Sequence, residues 1–442
     1  MAFGDNPGGP GRLSAALLVL AVFFLAAAGG AKADERTLTL EEARKLAIEN
    51  HERVAIAGEG VEQARADLRK ATSRILPNIT AEGSYTRYTE EKGTDSFIIQ
   101  PRESTSAELR LTQPLYSGGR EWATRRQARL QIRSRVEGVE GAREDIVRET
   151  SYHYYGVLKA ERDVEIKSAA LRRAEERLEV AEARLRVGDV TRSAVLRAEA
   201  ERAGAEAELI RSRNGLLNAL ALLRRVTGLE GVSLKVLEPE RLPTEERSAS
   251  ALVETALDER TDYSQRLLEE RAAGEGITIA RAGFKPSLRL EGLLLWREQE
   301  PATTFFQEDS ASATLRLTYP LFEGFLRKAE LSEARSRLRE AELRRLGLRR
   351  DIQVQITEAL NNIKAIEALT ESFRRQLAFA EEDYKMVFEQ FRFGVATTLD
   401  VIDSENTLVT AQSALANAVY DLELAKMDLQ YLTGTLVEER QR

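Results

Sequence analysis

The chain contains no cysteine among its 442 residues. This absence excludes disulfide bonds, zinc sites built on thiolates, thiol nucleophiles and a lipid-modified N-terminal cysteine. Basic residues are not in excess, because 65 Lys and Arg stand against 72 Asp and Glu, for a net charge of −7. Nucleic-acid binding depends on a positive surface, so we expect no nucleic-acid partner.

Long hydrophobic runs are absent except at the N-terminus. Sixteen mostly apolar residues, 13–28, follow Arg12 and precede Ala31, Lys32 and Ala33, a cleavage pattern for secretion. We predict that residues 1–33 are a signal peptide, with a retained anchor as the alternative. Its removal would leave 63 basic and 71 acidic residues, a net charge of −8. No later stretch has about 18 consecutive apolar residues, so a membrane-spanning part of the mature chain must use strands.

Proline is sparse and unevenly placed. Eight prolines follow residue 33, with none between 115 and 238 and none after 320. Because proline breaks helices, these gaps mark where long helices run. Residues 117–187 predict one helix of about 70 residues, roughly 105 Å at 1.5 Å per residue. A helix of that length must be held by neighbouring helices.

One motif occurs twice. LTQPLYSGG at 111–119 returns 206 residues later as LTYPLFEGF, and upstream landmarks such as Pro77 and Pro286 lie 209 apart. A tandem duplication explains these offsets, and the three-residue difference predicts loops at about 88–105 and 297–310. We predict a first repeat at 34–228, a linker or equatorial region at 229–247, a second repeat at 248–434 and a C-terminal tail at 435–442.

Each repeat is predicted to run as helix, two strands, very long helix, turn and helix. Apolar residues recur every seven positions beside the turns, as at Leu171, Leu178 and Leu185, and at Leu377 and Tyr384 in the second repeat. This period predicts antiparallel coiled-coil hairpins, and a purely structural coiled coil stays an alternative. The Arg- and Glu-rich stretch 172–186 is interpreted as a solvent-exposed helix face.

Four strands are predicted, at 78–88, 106–114, 287–296 and 311–319. Ala313, Leu315 and Leu317 alternate with Thr314 and Arg316, which predicts one apolar and one polar face. Such strands fit either a membrane barrel wall or a water-soluble sheet. A sheet in lipid cannot leave its edges unpaired, so in the membrane case several chains must pool their strands.

Four stretches in order resemble the outer membrane factor family, the TolC-like outer-membrane efflux proteins. They are LTLEEARKLAIENH at 38–51, LPNITAEGSY at 76–85, LTQPLYSGG at 111–119 and FRFGVATTLDVIDSENTLVTAQSALANA at 391–418. The resemblance implies a mainly α fold with transmembrane β-structure. Three chains would form a twelve-stranded β-barrel, four strands from each, continued by a long α-helical coiled-coil barrel. It also implies a passive exit duct of a tripartite efflux pump or type I secretion system in the cell outer membrane.

The resemblance also implies partners and sites. The partners are two further copies of the chain, a periplasmic adaptor (membrane fusion protein), an inner-membrane transporter of RND, ABC or MFS type, and outer-membrane lipid. The expected adaptor-docking tips are Val187, Gly188, Val190, Thr191, Phe393, Gly394, Val395, Thr397 and Thr398. The expected strand–helix junctions are Pro114, Gly118, Pro320 and Gly324.

Asp400 and Asp403 are the expected lumen constriction. They lie three residues apart on one helix face, and three copies would form carboxylate rings. A solvated acidic pair at a helix N-terminus is the alternative. The first repeat has Ala194 and Arg197 at these positions, so any gate would differ between the repeats.

No feature of the sequence indicates an enzyme. The two histidines, His51 and His153, stand alone and are predicted to be ordinary helix residues, so we expect no metal, no cofactor and no catalytic residue. No phosphate-binding G-x-x-x-x-G-K-[ST] motif occurs, so energy would come from the partners. The competing classes are a periplasmic adaptor and a structural periplasmic coiled-coil protein.

Overall fold

A computed structural model describes residues 36–94, 97–229, 231–302 and 306–437. The helices within these ranges are α1 (Leu40–Asn50), α2 (Glu52–Ser73), α3 (Arg120–Arg186), α4 (Arg192–Thr227), α5 (Ala249–Glu259), α6 (Thr261–Ala282), α7 (Leu326–Arg392) and α8 (Thr398–Thr433). The strands are β1 (Arg36–Leu38), β2 (Asn78–Arg87), β3 (Lys92–Thr94), β4 (Phe97–Gln100), β5 (Glu103–Tyr116), β6 (Leu234–Val236), β7 (Ser287–Glu300) and β8 (Asp309–Thr318). The predicted signal peptide and the end of the predicted tail, residues 438–442, lie outside the described residues.

Four strands form one antiparallel sheet in the order β2-β5-β7-β8. Leu109, Leu294 and Ala311 are cross-strand neighbours on one face, while Glu291 and Thr314 are neighbours on the other. The predicted alternation is therefore confirmed, with an apolar face and a polar face that carries the Arg316–Glu291 and Arg110–Glu108 ion pairs. Within the described residues, β2 and β8 each have one unpaired edge.

The predicted loops are shorter than expected. β5 begins at Glu103 and β7 continues to Glu300, so both strands extend past the predicted ends into the length-variable region. The first predicted loop also contains the small β3–β4 hairpin. The prediction of a loop over 88–105 is wrong for these residues. Strands this short are held by backbone pairing across the hairpin, and they are too short to show an alternating pattern in the sequence.

The long helices match the proline-free stretches. α3 and α7 have 67 residues each, and α4 and α8 have 36 each. At 1.5 Å per residue the longer pair reaches roughly 100 Å. α4 and α8 both end at a left-handed glycine, Gly228 and Gly434. No described helix is both long enough and apolar enough to span a bilayer.

The helices form two tiers, and the tier nearer the strands has the order α2, α3, α6, α7, the same as the order of the strands that these helices join. Contacts place α4 beside α3, α3 beside α8, and α8 beside α7. Above them α2 packs on α3, and α6 packs between α3 and α7. The predicted seven-residue seams are confirmed, since Leu178 and Leu185 pack on Ala181 and Ala198, and Leu377 and Tyr384 pack on Ala380. One flank of the chain thus carries β2 and α4, and the other carries β8 and α7.

The largest core lies around the middle of the long helices. β1 pairs in parallel with β6, so the predicted linker 229–247 supplies a strand to this region. Tyr154 of α3 is fully buried there, and its hydroxyl accepts a hydrogen bond from the N–H of Leu237 at 3.0 Å. A second core joins α5 to α7 and α8 through Leu252, Ile352 and Leu429. These two cores fix how the two hairpins sit against one another.

Candidate functional site: the hairpin tips and the strand ends

Two tight turns, each built on a left-handed glycine, form the far ends of the hairpins. Gly188 has φ 79° and Gly394 has φ 83°, a region that favours glycine because other residues place Cβ against the following carbonyl. Exposed apolar side chains flank both glycines, with Val187, Phe393 and Val395 each more than three-quarters exposed. Exposure of apolar side chains to water is unfavourable, so burying these three against another molecule would be favourable.

The remaining predicted tip residues differ in exposure. Thr191 and Thr397 are exposed and Val190 is half-buried, but Thr398 is buried. Thr398 therefore cannot offer its side chain to a partner. The turns bring the other predicted residues together at the end of each hairpin, as the sequence indicated.

The two helix starts after the turns are capped differently. Thr397 and Asp400 form a reciprocal capping box, in which the Asp400 carboxylate accepts the Thr397 N–H at 2.8 Å. The Thr397 hydroxyl donates to the same carboxylate at 2.7 Å. These hydrogen bonds lower the pKa of Asp400 below its ordinary value. Thr191 occupies the matching place before α4 but forms no side-chain cap.

The first turn is tied to the second through Arg184. Its guanidinium donates to the Asp189 carboxylate at 2.8 Å and to the Phe391 carbonyl at 2.9 Å. It also stacks on the Phe391 ring at 5.2 Å. One α3 side chain thus holds both its own turn and the end of α7.

A buried ion pair lies above the tips and corrects one sequence interpretation. Arg177 of α3 is 2% exposed and Glu405 of α8 is 6% exposed, and Arg177 donates to this carboxylate. Arg173 donates to the other carboxylate oxygen at 3.0 Å and stacks on Tyr384 at 5.6 Å. Burial raises the pKa of Tyr384 to about 12. The interpretation of 172–186 as a solvent-exposed face is wrong at Arg173 and Arg177, because α8 covers this side of α3.

Asp400 and Asp403 are both exposed and lie one turn apart on α8. Asp400 is engaged by the capping box, as the helix-terminus alternative expected. Asp403 has no side-chain ion pair within the described residues. One chain brings these two carboxylates together, and a ring would need further copies.

The strand–helix junctions rest on close backbone packing in the first repeat. A Cβ at Gly118, which has φ 70°, would meet the Ala282 carbonyl oxygen at 2.7 Å. Gly324 has φ 56°, but a Cβ there would meet nothing within 4 Å. Pro114 lies at a register shift in β5, and Pro320 follows β8. The first junction is therefore the more tightly constrained of the two.

The histidines have structural roles. His51 is not inside a helix, since it caps the start of α2 by accepting the Arg53 N–H at 3.2 Å. His153 lies in α3, where burial lowers its pKa. Throughout the described ranges, no cluster of three or more His, Asp or Glu side chains is placed to hold a metal ion.

Comparison with known proteins gives one family. The profile of the family described as "Outer membrane efflux protein" matches residues 43–229 and 252–435. The chain is 24% identical to the outer membrane protein TolC of Vibrio cholerae, over 95% of this chain and 96% of that protein. It is 23% identical to TolC of Escherichia coli, over 84% of this chain and 77% of that protein.

Solved structures agree with this fold. The CmeC outer membrane channel of Campylobacter jejuni superposes with a TM-score of 0.77 at 18% identity, covering 90% of this chain and 86% of CmeC. VceC of Vibrio cholerae gives a TM-score of 0.74 at 20% identity, covering 89% of this chain and 96% of VceC. The chain belongs to the outer membrane efflux protein family and serves as an exit duct of the cell outer membrane, with its helical part in the periplasm.

Proposed function

We propose that three copies of this chain close into one continuous duct. Each copy would supply four strands to a twelve-stranded β-barrel and two helical hairpins to an α-helical barrel. The two copies of the repeat, 34–228 and 248–434, would then give the tube approximately sixfold symmetry. The matched helix lengths, 67 and 36 residues in each half, support a duplication.

The observation that carries the proposal is the pair of open flanks. In the part of the chain that is described, β2 and β8 each expose an unpaired strand edge. Unpaired backbone groups are too costly in hydrocarbon to remain open, so the edges must meet. β2 on one flank and β8 on the other fit a head-to-tail contact, which closes into a ring.

The helical flanks carry matching apolar stripes. On α4, Leu196, Ile210 and Leu217 are each more than half exposed and share a seven-residue register. On α7, Phe379 and Met386 are exposed with the same spacing. Packing α4 of one copy against α7 of the next would bury both stripes, on the same flanks that carry the strand edges.

The tips are the proposed contact with a periplasmic adaptor. The exposed side chains of Val187, Phe393 and Val395, set on rigid left-handed glycine turns, support this role. An inner-membrane transporter of RND, ABC or MFS type would complete the path and supply the energy. The family match sets aside the adaptor and the purely structural coiled coil as identities for this chain itself.

Asp400 and Asp403 are proposed to line the periplasmic constriction. Three copies would place six exposed carboxylates near the tips, which would favour cations there. Asp400 would stay ionised across the physiological range, since its pKa is already lowered by the cap. The Arg197 positions in the first repeat would oppose part of this negative field.

The tip role is tested by Gly394→Val. Valine at φ 83° is strained and should distort the turn, so we expect export to fall about tenfold or more while the trimer stays intact. Gly347→Val is the matched control, because Gly347 lies inside α7 and a Cβ there meets nothing within 4 Å. Export is measured in cells, and trimer content by native electrophoresis. Unchanged export in the Gly394 variant would contradict the tip assignment.

A further inference from the structure

Phe325 is the only residue other than glycine with a left-handed backbone in the described part of the chain, at φ 67°. It stands immediately before α7. Gly119 fills the matching place before α3, with φ 94°. A bulky residue is disfavoured in this region, and strain of this kind collects at functional positions. The first repeat forms the same turn with Gly119, so the turn does not require a phenyl ring. The Phe325 side chain therefore has a role other than shaping the turn.

Phe325 belongs to an exposed apolar cluster, here named the turn patch. Its members follow β8 and are Tyr319, Leu321, Phe322, Phe325 and Leu326. Leu321 is 84% exposed, Phe322 73% and Phe325 65%, and the two phenyl rings meet edge to face at 5.5 Å. A contiguous apolar patch of this kind marks contact with a membrane or a protein.

The turn patch continues the apolar face of the sheet. Leu315 and Leu317 lie on that face of β8 and are more than half exposed, and Tyr319 follows in the same alternation. The sheet ends here and the helix begins, so the patch lies at the periplasmic rim of the strands. Aromatic side chains are favoured at such a rim, where an apolar ring meets polar headgroups.

A positive charge with no carboxylate partner lies beside the rings. The Lys328 ammonium is 5.3 Å from the centre of the Phe325 ring, and no ion pair involves it within the described ranges. Its neighbour Arg327 differs, because it pairs with Glu323 at 2.9 Å. A lysine one turn from an apolar rim can meet a phosphate group at the membrane surface.

We propose that the turn patch and Lys328 bind a glycerophospholipid of the inner leaflet of the outer membrane. The rings lie at the level of the ester groups, and the ammonium meets the phosphodiester. This inference rests on the proposed barrel, which sets the apolar face of β8 against lipid. A second copy of the chain is the competing occupant. The Lys328 ammonium beside the Phe325 ring favours the phospholipid, because a phosphodiester supplies the matching negative charge.

Native mass spectrometry of the full detergent-extracted complex tests the proposal, with phosphatidylglycerol and phosphatidylethanolamine added back as probes. Phe325→Gly keeps the turn and removes the ring, so we expect lipid retention to fall about tenfold. Lys328→Gln should weaken retention about fivefold, the effect of one lysine near a phosphate surface. Lys385→Gln, an exposed lysine far along α7, is the control and should leave retention unchanged.

The outcomes separate the possible occupants. Loss of lipid in both variants, with the trimer mass and conductance of the parent, supports the phospholipid site. Parent-like lipid retention in both variants overturns it, and so does dissociation of Phe325→Gly into single chains, which would assign the patch to a second copy. If the parent protein forms neither trimer nor pore, the proposed duct fails and the lipid site with it.

Discussion

At the scale of single residues, the buried Glu405 carboxylate should contribute strongly to the stability of the fold. It lies between two α3 arginines, and the side chains of Arg177 and Glu405 are 3% and 8% exposed. Glu405→Gln would leave a buried arginine charge unpaired, so we expect a loss of about 3 kcal/mol in the free energy of unfolding. Urea-induced unfolding of the extracted protein, followed by circular dichroism, measures it.

Glu165→Gln is the matched control, since Glu165 pairs with Arg162 at 2.5 Å on an exposed face of α3, away from both flanks. A surface pair contributes little, and we expect a change within about 0.5 kcal/mol. Equal losses in the two variants would show that burial of the Glu405 pair has no energetic effect.

Asp400 makes a pH-dependent contribution. Hydrogen bonds from Thr397 lower its pKa in the folded state, so the ionised carboxylate stabilises the fold above its ordinary pKa. That stability is lost as pH falls through the lowered folded value. Asp400→Asn should therefore lower the melting temperature at neutral pH, and the difference should shrink as the pH falls below the ordinary pKa of aspartate and the parent carboxyl takes up its proton. A difference that persists unchanged into acid would contradict the capping role.

At the scale of elements, β8 separates its two faces residue by residue. Leu315 lies on the apolar face and Thr314 on the polar face. Leu315→Arg should cost about 2 kcal/mol or more in lipid, because a charge on the lipid side is poorly solvated. Thr314→Arg should change stability by no more than about 0.5 kcal/mol. Unfolding in lipid vesicles measures both, and equal costs would mean that neither face contacts lipid.

The sequence predicted those elements in which one pattern, either the absence of proline or the alternation of apolar and polar residues, extends over many residues. The proline-free stretches placed α3 and α7 within a few residues of their ends, and the alternation about Leu315 placed β8. The β3–β4 hairpin was missed, since strands of three and four residues carry no period. The start of β5 and the end of β7 were also placed short, because residues 103–105 and 297–300 are polar and do not alternate in hydrophobicity.

The candidate site was predictable only in part, and for a physical reason. Turn residues such as Gly188 and Gly394 can be recognised in the sequence, since few residues other than glycine adopt a left-handed backbone conformation. Arg177 did not, because its helical face is charged and only the packing of α8 decides that it is buried. Phe325 was missed as well, since its φ cannot be read from the residue type, although its alignment with Gly119 was a usable signal.

At the scale of the whole molecule, the described part of the chain has two open flanks. The flank with β2 carries the apolar stripe of α4, and the flank with β8 carries that of α7. In the proposed ring, one neighbouring copy would cover both the strand edge and the helix stripe of each flank. The ring would enclose a lumen whose wall within the sheet is the polar face.

The molar mass of the detergent-extracted, purified protein tests this account most directly, measured by light scattering with the detergent contribution subtracted. We expect a single species of three times the mass of the mature chain, which conducts ions when reconstituted in a planar bilayer. A stable species of one chain mass that remains in the aqueous phase without detergent would contradict the closed duct.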